Sequence, residues 1–131
     1  MESPDSSALY RESVAWRKSM ELTAQIYKTT QNFPPDERFG LTNQLRRAAV
    51  SIPSNIAEGK GRLTPGELAQ FIGHARGSAM EVQTQLEIAL MLKFGSKDEI
   101  QHAQTQAAEV LRILNASIAT LRNRAKTKKA K

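Results

Sequence analysis

The apolar positions of this chain fall into four runs of helical period, separated by breaks of proline, glycine and capping residues. Trp16, Met20, Thr23 and Tyr27 recur at one-turn spacing, with Leu22 and Ile26 widening the face, and predict a first helix over residues 14–30. Asn32-Phe33-Pro34-Pro35 ends it. Pro35, followed by Asp36 and Glu37, suits a helix start, where a missing N–H costs nothing and acids favour the dipole; this predicts a second helix over 35–58. Leu41, Leu45, Ala48, Ile52 and Ile56 are its apolar stripe, and Gly59 and Gly61 its stop and turn. Thr64-Pro65-Gly66-Glu67 is a capping box, with Thr64 as N-cap and Glu67 reaching back to it. It opens a third helix over 65–93, whose face holds Leu68, Phe71, Ile72, Ala75, Ala79, Val82, Leu86, Ala89 and Leu90 and which Gly95 closes. A second box, Ser96 to Glu99, opens a fourth helix over 97–121 with Ile100, Ala103, Ala107, Val110, Leu111, Leu114, Ile118 and Leu121 in register. No segment reads as a strand. Long amphipathic helices on short connections predict an all-α, antiparallel up-down-up-down four-helix bundle.

The second helix is the unusual one. Pro53 offers no N–H to the Ala49 carbonyl and crowds it, so a kink at a cost of about 3 kcal/mol is expected there, with something to compensate. Beside the apolar stripe runs a polar one, Gln44, Arg47, Ser51, Asn55, Glu58 and Arg62. Folding back about Gly59–Leu63 brings Arg47 level with Ser78 and Glu81. A buried seam is expected, Arg47 paired with Glu81 and Ser51, Asn55 and Ser78 bonded nearby; losing Glu81 would then cost about 3–5 kcal/mol. The alternative is a solvated face of unrelated charges. In the third helix, Gly73 and Gly77 each cost about 1 kcal/mol relative to alanine and imply close approach of a neighbouring helix, within the bundle or from another subunit.

Length and charge add organisation. The 131 residues suffice for one domain: a polar leader over 1–13, the bundle over 14–121 and a basic tail over 122–131. The net charge is +6, but six cations and no acid lie from Arg122 onward, leaving 13 bases and 13 acids in the body. Such a tail is expected to be a disordered, solubilising end, with non-specific phosphate binding as the sharper alternative. There is no apolar run long enough to span a membrane and no basic start with an apolar h-region, so a cytoplasmic protein is expected. The absence of cysteine removes disulfides, thiolate catalysis and cysteine metal sites.

Little here suggests catalysis or a cofactor. A di-iron bundle needs two Glu-x-x-His pairs and two further glutamates. Glu99 with His102 is a lone pair, because Phe71 stands three places before His74. Gly59-Lys60-Gly61-Arg62 follows no strand and lacks the spacing of a phosphate-binding loop. No catalytic, cofactor or metal residue is expected.

Gln44-Leu45-Arg46-Arg47-Ala48-Ala49-Val50-Ser51-Ile52-Pro53, then Asn55-Ile56-Ala57-Glu58-Gly59 and Arg62, then Ala75, Gly77-Ser78 and Glu81 carry a resemblance. Over about Val14 to Leu121 the chain resembles the four-helix bundle proteins encoded in intervening sequences of bacterial large-subunit ribosomal RNA genes, also called S23 ribosomal proteins. Trp16, Phe33-Pro34, Glu37, Gly40 and Leu41 fit it too. The resemblance implies a homo-oligomer, a ring of five bundles, and no known enzymatic activity. More distantly, it extends to the pentameric accessory protein of diversity-generating retroelements, which partners a reverse transcriptase and carries a basic surface for nucleic acid.

Two function classes follow. In the first, an oligomer repeats Arg46, Lys60, Arg62, Arg76 and the tail cations Arg122, Arg124, Lys126, Lys128, Lys129 and Lys131 around an axis and associates with RNA or DNA electrostatically. No aromatics interleave these cations, so stacking on bases is not expected. In the second, the bundle is a scaffold for a protein partner and binds no nucleic acid. In either, Arg47, Ser51, Asn55, Glu58, Ser78 and Glu81 are expected to form a structural seam and subunit contact.

Overall fold

The structure, a computed structural model, describes residues 10–130, with side chains to residue 127. Four helices account for most of it: α1 (Val14–Thr30), α2 (Leu41–Lys60), α3 (Pro65–Met91) and α4 (Lys97–Ala130). Each packs on two others, α1 on α2 and α4, and α3 on α2 and α4, which closes a four-membered ring around one core. Cross-helix contacts run in opposite senses along each pair. Ser51 meets Ser78 while Gly59 meets Phe71 and Leu68; Arg76 meets Asn115 while Glu87 meets Gln104. This is the antiparallel bundle that the short connections predict.

The predicted stripes of α2, α3 and α4 form the core, with Leu45, Ile52, Ile56, Val82, Leu86, Ile100, Val110 and Leu114 fully buried. The face of α1 differs from expectation. Ala15, Ser19, Leu22, Ile26, Thr29 and Thr30 point inward, while Met20 and Tyr27 are exposed. Small polar residues are tolerated inside because their hydroxyls are satisfied close by. Ser19 Oγ donates to the Trp16 carbonyl at 2.8 Å, and Thr30 Oγ1 to the Ile26 carbonyl at 2.7 Å. Thr29 Oγ1 accepts from Gln25 Nε2 at 3.0 Å. The aromatics of this helix find partners at its edge: Trp16, half-buried against the core, is edge-on to Tyr10 at 5.2 Å, and the Arg46 guanidinium lies 4.6 Å from the exposed Tyr27 ring.

Helix α2 runs unbroken through Pro53, and α1 supplies the compensation that proline demands. Thr23 Oγ1 lies 3.1 Å from the Ala49 carbonyl, the acceptor that Pro53 leaves without an N–H, and 2.8 Å from the carbonyl of Ser19 in its own helix. Ala49 is completely buried. Without Thr23 its carbonyl would lose its substitute donor in a dry interior.

The boundaries depart from expectation in three places. Pro35–Glu37 is a 3₁₀ turn rather than the start of α2, which begins at Leu41. Glu37 caps it from four residues upstream, its Oε2 accepting the Leu41 N–H at 2.9 Å. Helix α3 stops at Met91 because Lys93, with φ of 59°, takes the left-handed position of a Schellman ending. Its N–H bonds the Leu90 carbonyl and that of Phe94 the Ala89 carbonyl. Gly95 follows with φ of 63°, where a Cβ would lie 3.0 Å from the Phe33 ring. Finally, α4 runs to Ala130 instead of ending at residue 121 in a disordered tail. Arg122-Asn-Arg-Ala-Lys-Thr-Lys-Lys-Ala holds no helix breaker, and cations in the last turns complement the dipole. Of the polar leader, Tyr10–Glu12 form one 3₁₀ turn, and residues 1–9 lie outside the described residues.

Both predicted N-caps form. Thr64 Oγ1 accepts the Glu67 N–H at 3.1 Å, and Ser96 Oγ the Glu99 N–H at 3.3 Å. The return bonds of the boxes are absent among the described residues. Glu99 reaches instead to Asn32 Nδ2 at 3.4 Å, tying the start of α4 to the α1–α2 connection.

Candidate nucleic-acid interface and polar seam

The polar stripe of α2 meets α3 through hydroxyls rather than charges. Ser51 Oγ lies 2.8 Å from Ser78 Oγ and accepts from Asn55 Nδ2 at 2.9 Å, while Asn55 also donates to the Ser51 carbonyl at 2.8 Å. The expected Arg47–Glu81 pair is not made. Both side chains are exposed and form no ion pair among the described residues; they line a shallow depression of about 290 Å³ with Asn43, Gln44 and Gln85. A surface arginine and glutamate are well hydrated, and holding two long side chains together there gains little. Glu58 turns to Arg62, four residues on and just past the end of α2. Gln85 Oε1 is buried at this seam with no hydrogen-bond partner among the described residues.

The glycines also sort differently. Gly59, expected only as a stop, is a point of close α2–α3 approach: a Cβ there would lie 2.9 Å from Phe71 Cβ and 3.2 Å from Leu68 Cδ1. Gly73 and Gly77 face open space, with nothing within 4 Å of a built Cβ. They do not serve packing inside the bundle.

The candidate cations divide into engaged and free. Arg46 is committed to the end of α1: Nε donates to Thr30 Oγ1 at 2.8 Å, Nη2 reaches the Tyr27 carbonyl at 3.4 Å, and the guanidinium covers the Tyr27 ring. Arg62 is held by Glu58 and stacks on Phe71 at 4.7 Å. Lys60 and Arg124 stand at the mouth of a cavity of about 410 Å³ at the bundle end, among Leu68, Ile72, Ile113 and Leu121. Arg76 and Arg122 line a larger groove of about 750 Å³ between α3 and α4, with Gln70 and Asn115. Lys126 is exposed on the last turns of α4, and the side chains of Lys128, Lys129 and Lys131 lie outside the described ones. The bonding of Arg46 gave no signal in sequence, since it depends on a carbonyl one helix away.

Among the described residues no group of histidine and acidic side chains converges to hold a metal, and no helix is long and apolar enough to cross a membrane. Glu99 and His102 remain a lone pair at the start of α4.

The family model of the 23S rRNA-intervening sequence protein matches residues 11–116. Among solved structures, the chain is similar to a protein of unknown function from the S23 ribosomal protein family of Bacteroides thetaiotaomicron. The TM-score is 0.72 at 22% identity, over 80% of this chain and 98% of that one, a likeness of fold. No functionally curated protein matches significantly. The chain belongs to the 23S rRNA-intervening sequence protein family.

Proposed function

We propose that this member of the 23S rRNA-intervening sequence protein family is a non-catalytic, cytoplasmic homo-oligomer, a ring of five bundles, that associates with RNA or DNA electrostatically and without reading sequence. The observation that carries the reading is the end of α4. From Arg122 to Ala130 its sequence holds five cations and no acid, and the helix continues past the last core residue, so that charge is carried on a rod rather than a loose chain. At 34 residues α4 is about 51 Å long, against about 30 Å for the 20 residues of α2. An oligomer would repeat that rod and convert modest contacts into multivalent ones.

The open seam supports assembly. Among the described residues, Arg47 and Glu81 are exposed and unpaired on opposite sides of one depression, beside a Gln85 oxygen that lacks a donor. A second copy could complete both charges. Light scattering coupled to size exclusion tests this: the proposal expects a multiple of the 14.5 kDa chain mass, reduced by Arg47→Glu or Glu81→Arg alone and restored by the two together. A mass of one chain at working concentration would refute it. For nucleic acid, the test compares the full chain with a variant in which the six terminal cations are glutamine. Equal binding by both would remove the role of the α4 end, and a scaffold for a protein partner would then be the better reading.

A further inference from the structure

The groove between the start of α3 and the end of α4 carries the strongest unassigned chemistry. Its α3 wall is built from the small residues Gly66, Ala69 and Gly73, and its α4 wall from Ala119 and Ala125 together with the larger Ile118 and Leu121. Two arginines and two amides face into it, and none of the lining residues is acidic. Arg76 is positioned there: its Nε donates to Asn115 Oδ1 at 2.6 Å, while its terminal nitrogens make no hydrogen bond or ion pair among the described residues. Arg122 is exposed beside it, at the first of the terminal cations.

Two further features have no use inside the bundle. Gly73 costs about 1 kcal/mol of helix stability relative to alanine, yet a Cβ there would touch nothing. The N–H of Gly66, in the first turn of α3, has no acceptor in the described hydrogen bonds and sits at the positive end of a 27-residue helix. A ligand that is negative, narrow and brought close to helix backbone would use all of these.

We propose that this groove seats one strand of nucleic acid by its phosphodiester backbone. Arg76 and Arg122 bind phosphate oxygens, the Gly66 N–H lies at the groove's α3 end, and the missing side chain at Gly73 lets the sugar-phosphate chain descend between the helices. Charge complementarity selects the occupant: an apolar helix would leave both guanidinium groups facing it unpaired. This rests on the nucleic-acid reading above and gives it a location.

The test uses the full-length protein and a labelled oligouridylate about 20 nucleotides long, longer than one such groove requires. Binding is followed by fluorescence anisotropy across a salt series. Arg76→Gln with Arg122→Gln should weaken binding at least tenfold at low salt and flatten the slope of log K against log salt by about 1.4, two phosphate contacts at about 0.7 each. Gly73→Leu, which fills the groove without changing charge and raises helix propensity, should weaken binding comparably. The control Arg17→Gln with Lys97→Gln removes the same charge elsewhere and should stay within about twofold. If the unmodified protein fails to bind at low salt, the broader nucleic-acid reading falls. If it binds, and the groove variants match the control, the groove is not the site. A change in solution mass by Gly73→Leu with binding intact would mark a helix-docking face and overturn the proposal. Circular dichroism confirms that each variant is folded.

Discussion

Replacing Thr23 by valine keeps the shape and the β-branch and removes only the hydroxyl that serves the Ala49 carbonyl. That carbonyl lies in α2 four residues before Pro53, is fully buried, and has Thr23 Oγ1 at 3.1 Å as its substitute donor. The hydroxyl has one hydrogen, shared between this carbonyl and that of Ser19 at 2.8 Å; the share given to Ser19 is dispensable, because the Thr23 N–H already serves that acceptor in the regular α1 ladder. Leaving a buried carbonyl unsatisfied costs about 1–3 kcal/mol. Taking about 2 kcal/mol, the melting temperature should fall by roughly 8 °C for a domain of this size. The logic is tested by a cycle with Pro53→Ala. Alanine restores an N–H for Ala49, so Thr23→Val in that background should cost less than about 0.5–1 kcal/mol, the coupling energy being the difference. Urea denaturation of the four proteins supplies the values. An equal cost of Thr23→Val with and without Pro53 would show that Thr23 does not compensate the proline.

Three further outcomes follow from the geometry. Lys93→Gly should stabilise the chain by about 1 kcal/mol in chemical denaturation, since lysine occupies a left-handed position where glycine has no steric cost; no gain would mean that Lys93 is not held in that conformation. Gly59→Val should destabilise by more than about 2 kcal/mol, because its first carbon already meets Phe71 Cβ at 2.9 Å, and a melting temperature equal to the parent's would deny the close α2–α3 approach. Glu81→Ala should leave the stability of the dissociated chain within about 0.5 kcal/mol, the value for an exposed carboxylate without a partner; a loss of about 3 kcal/mol would restore the buried ion pair.

The parts of the fold that were legible in sequence are those decided locally. Thr64 and Ser96 announce helix starts through bonds that span three residues, and the stripes of α2, α3 and α4 repeat at the helical period. What was not legible depends on neighbours. The core face of α1 was displaced by Ser19, Thr29 and Thr30, whose hydroxyls find partners within their own helix and so pass as apolar. Arg46 looked like a surface cation but spends its donors on Thr30 and Tyr27. Arg47 and Glu81 were placed at the right level along the helices but outside the core, where solvent removes the reason to pair. Gly59 and Gly73 exchanged roles for the same cause: only the assembled bundle decides which glycine faces a helix and which faces open space. The need for a partner at the Ala49 carbonyl was readable from Pro53, whereas its identity, Thr23, was not.

The central claim is electrostatic association of nucleic acid with the cationic end of α4, and the salt dependence of binding measures it directly. Anisotropy titrations of the full chain with the single strand should give log K falling linearly with log salt, with a slope of about −3 or steeper if four or more phosphates are neutralised. Glutamine at the six terminal cations should abolish most of that slope. Undetectable binding of the unmodified protein at low salt, or binding whose affinity does not change with salt, would contradict the account.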